Sequence, residues 1–206
     1  MDKRELLAQI EKQVGRCKEC RLYRTRNKPV PGVGSTDAKA VFVGEAPGAS
    51  EDERGVPFCG RAGDLLDELL DATHFKRSDV WIGNVIKCRP PDNRQPMVDE
   101  LRSCKPYLEE QLKVLNPKVI VTLGKFAMDH FVKNGQISRD HGVPKVVGSY
   151  IIYPIYHPAA ALRSTQVLMI LRRDFLRIPK VISGEIKPED QAPSKKKDEK
   201  QLLMFS

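Results

Sequence analysis

The sequence predicts an α/β fold, with a mainly parallel sheet covered by helices on both faces. Two short, continuous apolar runs, Ala40–Gly44 and Val119–Leu123, read as strands buried on both sides. Between them lie segments whose leucines recur at helical spacing. Strand-like and helix-like segments alternate along the chain, as crossover connections between parallel strands require.

Taken in order, residues 3–16 place Leu6, Leu7, Ile10 and Val14 on one face, predicting an amphipathic helix that ends at Gly15. Cys17-Lys18-Glu19-Cys20 follows at once. Residues 27–37 hold two prolines and two glycines and predict a loop. After the strand at 40–44, a Gly/Pro-containing segment, 45–60, leads into a helix carrying Leu65, Leu66, Leu69 and Leu70. Val80–Ile86 predicts a strand. Pro96 is expected to open the next helix, where its missing N–H costs least, and Leu101, Leu108, Leu112 and Leu115 line it. Val119–Leu123 is a strand and 125–132 a helix. Residues 146–156 hold two short strand-like pieces, and Pro158 opens a last helix running to about Leu176. Residues 1–180 thus form one domain, expected to be a monomer. Residues 181–200 read as a flexible linker with Lys195-Lys196-Lys197, and 201–206 as an apolar hexapeptide.

Composition narrows the function. Among 206 residues, 40% hydrophobic and 30% charged excludes collagen-like and wholly disordered classes. No apolar run is long enough to span a bilayer, and the first residues are too charged for a secretory signal, so a cytoplasmic, nucleoid-associated protein is expected. Lys and Arg number 35 against 27 Asp and Glu, a net charge of +8. That excess points to a polyanionic partner, nucleic acid before membrane. Five cysteines, an odd number, suit thiol or metal chemistry better than a disulfide framework.

Ligands of open α/β sheets bind at the carboxyl ends of the strands. Four segments fall there: 44–48 with Glu45, the loop 51–60 with Phe58, Gly83-Asn84 with the downstream loop 89–94, and Tyr156-His157-Pro158. A carboxylate, an aromatic ring, an amide and an imidazole converge on one edge. Singly, each has a bland reading: a helix cap, loop core, a turn former, a capped loop residue. No Walker lysine, no three-glycine dinucleotide loop and no HxE…PCxxC deaminase spacing is present. Cys17 and Cys20 have chelating spacing. With Cys88 and Cys104 they make a four-thiolate set suited to zinc or an iron–sulfur cluster, the wide second pair being unlike a zinc ribbon.

The segments GEAPGASEDERGVPFCGRAGDLL (44–66), GNVIKCRPPDNRQP (83–96) and HPAAALR (157–163) resemble the motifs of the family 4, iron–sulfur uracil-DNA glycosylases. The resemblance spans about residues 1–180. It implies a three-layer α/β/α sandwich, a 4Fe–4S cluster on Cys17, Cys20, Cys88 and Cys104, and hydrolysis of uracil from DNA. It also implies roles. Glu45 would activate water and face the developing sugar cation, and His157 would hydrogen-bond uracil O2. Phe58 would stack on the base, Asn84 would read O4 and N3–H, Glu51 would crowd the 5-position, and Asn93 would be a further polar residue nearby. Leu162 and Arg163 would wedge into the minor groove.

The sequence departs from the family at Cys59, which replaces a valine and adds an oxidisable thiol beside the pocket. Ala46 stands where relatives that bind uracil-DNA covalently carry Gln, and the short 89–96 loop lacks their inserted histidine-bearing segment. Both departures favour turnover over the alternative of a uracil-DNA-binding iron–sulfur protein that does not turn over. A zinc-stabilised interaction protein is a third reading. The tail, with Gln201, Met204 and Phe205, resembles a truncated sliding-clamp-binding box, against the plainer reading of a random apolar terminus.

Overall fold

The computed structural model describes residues 2–188, so the remainder of the expected linker and the 201–206 hexapeptide lie outside the described residues. Helix α1 (Lys3–Arg16) starts on Asp2, whose side chain accepts the Glu5 N–H at 2.8 Å while Glu5 accepts the Asp2 N–H at 3.1 Å. There follow β1 (Val33–Gly34), β2 (Ala40–Gly44), α2 (Ala49–Arg54), α3 (Arg61–Ala72), β3 (Trp81–Asn84) and α4 (Val98–Leu115). The chain continues through β4 (Val119–Leu123), α5 (Lys125–Phe131), α6 (Ile137–Asp140), β5 (Lys145–Val147) and β6 (Tyr150–Ile155). Helices α7 (Pro158–Ala161), α8 (Thr165–Phe175) and α9 (Ile178–Ser183) complete it.

The strands form one sheet in the order β1-β3-β2-β4-β6-β5. The inner strands β3, β2, β4 and β6 are parallel, and β1 and β5 are antiparallel edges. Alternation along each buried strand feeds two cores. Phe42, Ile82, Val121 and Tyr153 pack with leucines of α3 and with Phe175 and Val181 of α8 and α9. Val41, Val43, Trp81, Ile120 and Ile152 pack with Leu108, Leu112 and Leu115 of α4 and Met128 of α5. The architecture is therefore the expected three-layer α/β/α sandwich.

Several expectations are corrected locally. The 27–37 segment contributes edge strand β1, and the 45–60 segment contains α2. Both are too short to carry a periodic pattern. Pro96 precedes the helix rather than opening it, because Met97 is the cap and Glu100 accepts its N–H at 2.8 Å. The helix expected from Pro158 to Leu176 breaks at residues 162–164, where Ser164 is extended and its side chain accepts the Val167 N–H to start α8. Nor does the fold stop at 180: α9 runs to Ser183 with Val181 buried, and Ile186 packs on the first core.

Trp81, the sole tryptophan, lies against two glycines: a Cβ at Gly32 would sit 2.2 Å from its ring, and one at Gly83 2.5 Å. Gly32 also has φ +122°, a conformation that side chains resist. Gly32→Ala should therefore destabilise the domain by about 1–3 kcal/mol, read as a lower denaturant midpoint accompanied by a shift in tryptophan emission.

Candidate active site

The carboxyl ends of the parallel strands bring the expected residues together. Gly44 at the end of β2 pairs in register with Asn84 at the end of β3, and Leu123 of β4 with Ile155 of β6, two residues before His157. At Gly44 an added Cβ would meet Asn84 Oδ1 at 2.4 Å and the Phe58 ring at 2.8 Å. The amide and the ring therefore meet over a backbone that has no side chain. Phe58 also stacks on His157, with ring centroids 5.6 Å apart and an interplanar angle of 27°. Gly124, at φ +86°, lets β4 turn away closely beneath His157, where a Cβ would come within 2.9 Å of the His157 Cβ.

Asn84 is 2% exposed, and its Oδ1 has no hydrogen-bond partner among the described residues. A buried acceptor left unpaired costs about 1–3 kcal/mol, so it marks a place where a donor from outside is received. The Nδ1 of His157 accepts the Ala159 N–H at 3.0 Å, and burial pushes the imidazole pKa down to about 4. The ring is then neutral at ordinary pH, with its proton on Nε2, which makes that nitrogen a donor. Half-buried Glu45 follows Gly44 directly. Its carboxylate has no partner among the described residues, and burial raises its pKa above the ordinary value.

Phe58 is held in a conformation it would not choose. It is 6% exposed at φ +50°, a left-handed backbone costing about 1–3 kcal/mol. The surroundings fix it. Glu51 Oε1 accepts the N–H groups of Cys59 and Gly60 at 3.0 and 3.2 Å, while Oε2 accepts that of Gly48 at 3.1 Å. Arg77 donates to the carbonyls of Pro57 and Phe58 and pairs with Asp67 at 2.6 Å. A Cβ at Gly63 would lie 1.8 Å from the Phe58 carbonyl, so α3 presses directly on this loop.

The other expected site residues have these surroundings. Both oxygens of Glu51 accept backbone N–H groups, so it holds the Phe58 loop in place. Asn93 sits in an exposed turn at φ +54° with its oxygen accepting from Arg89 Nε at 2.8 Å. Half-buried Ala46 packs on the second core and brings no polar group. Leu162 is 42% exposed in the break between α7 and α8, and with Arg163 it edges an open groove that also holds Arg61 and Arg172.

A model of the Uracil DNA glycosylase superfamily matches residues 31–177. The chain belongs to this superfamily. Among similar proteins, the type-4 uracil-DNA glycosylase of Sulfurisphaera tokodaii is 43% identical over 184 residues, 84% of this chain and 83% of the relative. The one from Archaeoglobus fulgidus is 43% identical over 84% of this chain and 92% of its own. The one from Saccharolobus solfataricus is 37% identical over 90% and 89%.

This superfamily member has a second cluster of reactive side chains. Cys17, Cys20, Cys88 and Cys104 line one small cavity with Arg26, Lys87 and Tyr107. Burial raises the thiol pKa at Cys20 and Cys88 and pushes that of Cys104 up to about 12. Donors nevertheless point at the sulfurs, an arrangement suited to thiolates. Arg26 reaches Cys88 Sγ at 3.0 Å and the Lys87 N–H reaches Cys104 Sγ at 3.2 Å. No three His, Cys, Asp or Glu side chains among the described residues could hold one metal ion.

Sequence reasoning missed Arg77, Gly63, Arg26 and Lys87, none of which carries a motif signal of its own. Removing the Glu51 carboxylate leaves three N–H groups unpaired and frees Phe58 to relax. Glu51→Ala should lower kcat/KM on uracil-containing DNA by about 10–100-fold and speed cleavage after Phe58, checked by kinetics and limited chymotrypsin digestion.

Proposed function

We infer that this protein is a monofunctional uracil-DNA glycosylase: it hydrolyses the bond between uracil N1 and deoxyribose C1′ and leaves an abasic site, the first step of base excision repair. The unpaired Oδ1 of Asn84 carries the reading. A uracil flipped into the cleft offers N3–H to that oxygen and O4 to the amide NH₂. Cytosine presents the reversed pattern, an acceptor facing the acceptor, and is rejected strongly because buried groups would be left unpaired. Phe58 supplies the face on which the base stacks.

As the bond breaks, its electron pair leaves on uracil, whose charge gathers on N1 and O2. The neutral His157 donates Nε2–H toward O2 and stabilises that anion. Glu45, ionised, faces the cationic sugar and takes the proton of the water that adds to C1′. Arg163 and the neighbouring arginines bind backbone phosphate, which gives salt-dependent affinity without choice of base, and Leu162 fills the space left by the flipped nucleotide.

Cys17, Cys20, Cys88 and Cys104 hold a 4Fe–4S cluster in this reading. It supplies a covalent clamp between the N-terminal segment and the 88–104 region, and the catalytic steps run through protein side chains alone. The four thiols around one cavity, with Arg26 and a backbone N–H aimed at sulfur, support it. The anaerobically purified protein should be brown, with about four iron atoms per chain expected of that cluster type. A colourless protein containing one zinc would overturn the assignment.

Turnover is read with an oligonucleotide carrying a single uracil, cleaved by alkali after incubation. Many strands cut per protein molecule are expected, and a stoichiometric band stable to SDS would refute hydrolysis. Glu45→Ala should lower kcat by about 10²–10⁴-fold and His157→Ala by about 10²–10³-fold, with DNA affinity little changed.

The pH profile separates the two residues. Glu45 works ionised and its pKa is raised, so the acid limb of kcat/KM should lie above the ordinary carboxylate value of 4.5. His157 works neutral and charges only near pH 4, so it adds a second loss below that limb and none above it.

A further inference from the structure

Beyond the two sites, one buried side chain joins them. Lys87 is 1% exposed, yet no carboxylate among the described residues pairs with it. Its ammonium donates to the main-chain carbonyl of Asn84 at 2.9 Å and to Gln111 Oε1 at 2.7 Å, and lies 5.6 Å from the centre of the Trp81 ring. Two of the three N–H groups of the ammonium are thus paired, and the ring face offers it a further favourable contact. Gln111 is itself oriented, since its Nε2 donates to the Pro31 carbonyl at 2.8 Å. The main chain of Lys87 is equally fixed: its N–H reaches Cys104 Sγ at 3.2 Å and its carbonyl accepts the Val30 N–H at 2.8 Å.

An unpaired lysine in an interior is expensive, and a hydrophobic residue of the same shape would pack there at less cost. What the lysine does that a methionine cannot is hold the Asn84 peptide at a stated angle. We propose that Lys87 is a positioning residue for base reading: its ammonium fixes the Asn84 carbonyl, and so the direction in which the Asn84 carboxamide meets uracil, from a backbone anchored at the four-cysteine site. The inference rests on the reading of Asn84 as the amide that receives the base. Lys87 touches neither DNA nor water in the reaction, so its effect is confined to steps in which the base is read.

The test compares holoenzymes of wild type, Lys87→Met, Asn84→Ala and the double variant. Each is measured for uracil excision, for affinity toward a duplex carrying a tetrahydrofuran abasic analogue, and for iron content. Lys87→Met should lose about 10–100-fold in kcat while keeping its iron and its affinity for the abasic analogue, which has no base to read. In the Asn84→Ala background the same change should add little, because a misdirected amide no longer matters once the amide is gone.

Unchanged kcat in Lys87→Met, a loss that multiplies with that of Asn84→Ala, or a loss that follows iron would each overturn the proposal. If Asn84→Ala itself excises uracil at the wild-type rate, the reading of Asn84 falls and the proposal falls with it. If only Lys87→Met is normal, the proposal falls alone. Should Lys87→Met not fold, Gln111→Met removes the second acceptor that aims the ammonium and is judged by the same criteria, with a smaller loss expected.

Discussion

A methyl group on Gly44 would stand 2.4 Å from the amide oxygen of Asn84 and 2.8 Å from the Phe58 ring, and neither could yield without leaving the pocket. The parallel register puts Gly44 beside Asn84, and the absence of a side chain there lets a loop from beyond α2 bring Phe58 over the same spot. Glu45 and His157 are then fixed by short distances along the chain, one residue past the end of β2 and two past the end of β6. The reactive edge is thus set by strand pairing, the stiffest feature of the domain.

Phe58 is the exception, because its loop is not part of the sheet. Its positive φ is tolerated only because Glu51, Arg77 and the tight approach of α3 at Gly63 hold the flanking peptides from three sides. Such strain settles where geometry has to be defined before a ligand arrives. Glu51 shapes the place where the base would lie by binding three backbone N–H groups of the loops that flank Phe58.

Legibility in the sequence followed the range of the interaction responsible. Ala40–Gly44 and Val119–Leu123 were readable to the residue because burial on both faces leaves an unbroken apolar run. Glu45 followed from the first of those runs, Asn84 and His157 from the less sharply bounded segments 80–86 and 146–156, and the CxxC spacing of Cys17 and Cys20 carried its own signal. Strand β1 and helix α2 are too short for periodicity, and the break before α8 hinges on one serine cap amid apolar spacing that reads straight through. The jobs of Glu51, Arg77 and Lys87 depend on peptides that approach from elsewhere in the chain, and a lysine or arginine by itself reads as a solvated surface charge.

The placement of the four thiols follows from the same need for rigidity. Cys88 lies four residues beyond Asn84, on the segment that leaves the sheet after the pocket, and such a departing segment would ordinarily be the mobile part of the site. Here it is tied at Cys88 and at the Lys87 N–H to a cavity whose other walls come from the N-terminal segment and α4. Zinc or iron could tie it equally well as far as chain entropy is concerned. The donors that face the sulfurs stabilise thiolates, which either metal requires of its cysteine ligands. Lys87 lies on that same tied segment, so the rigidity of the thiol site extends to the ammonium that holds the Asn84 carbonyl.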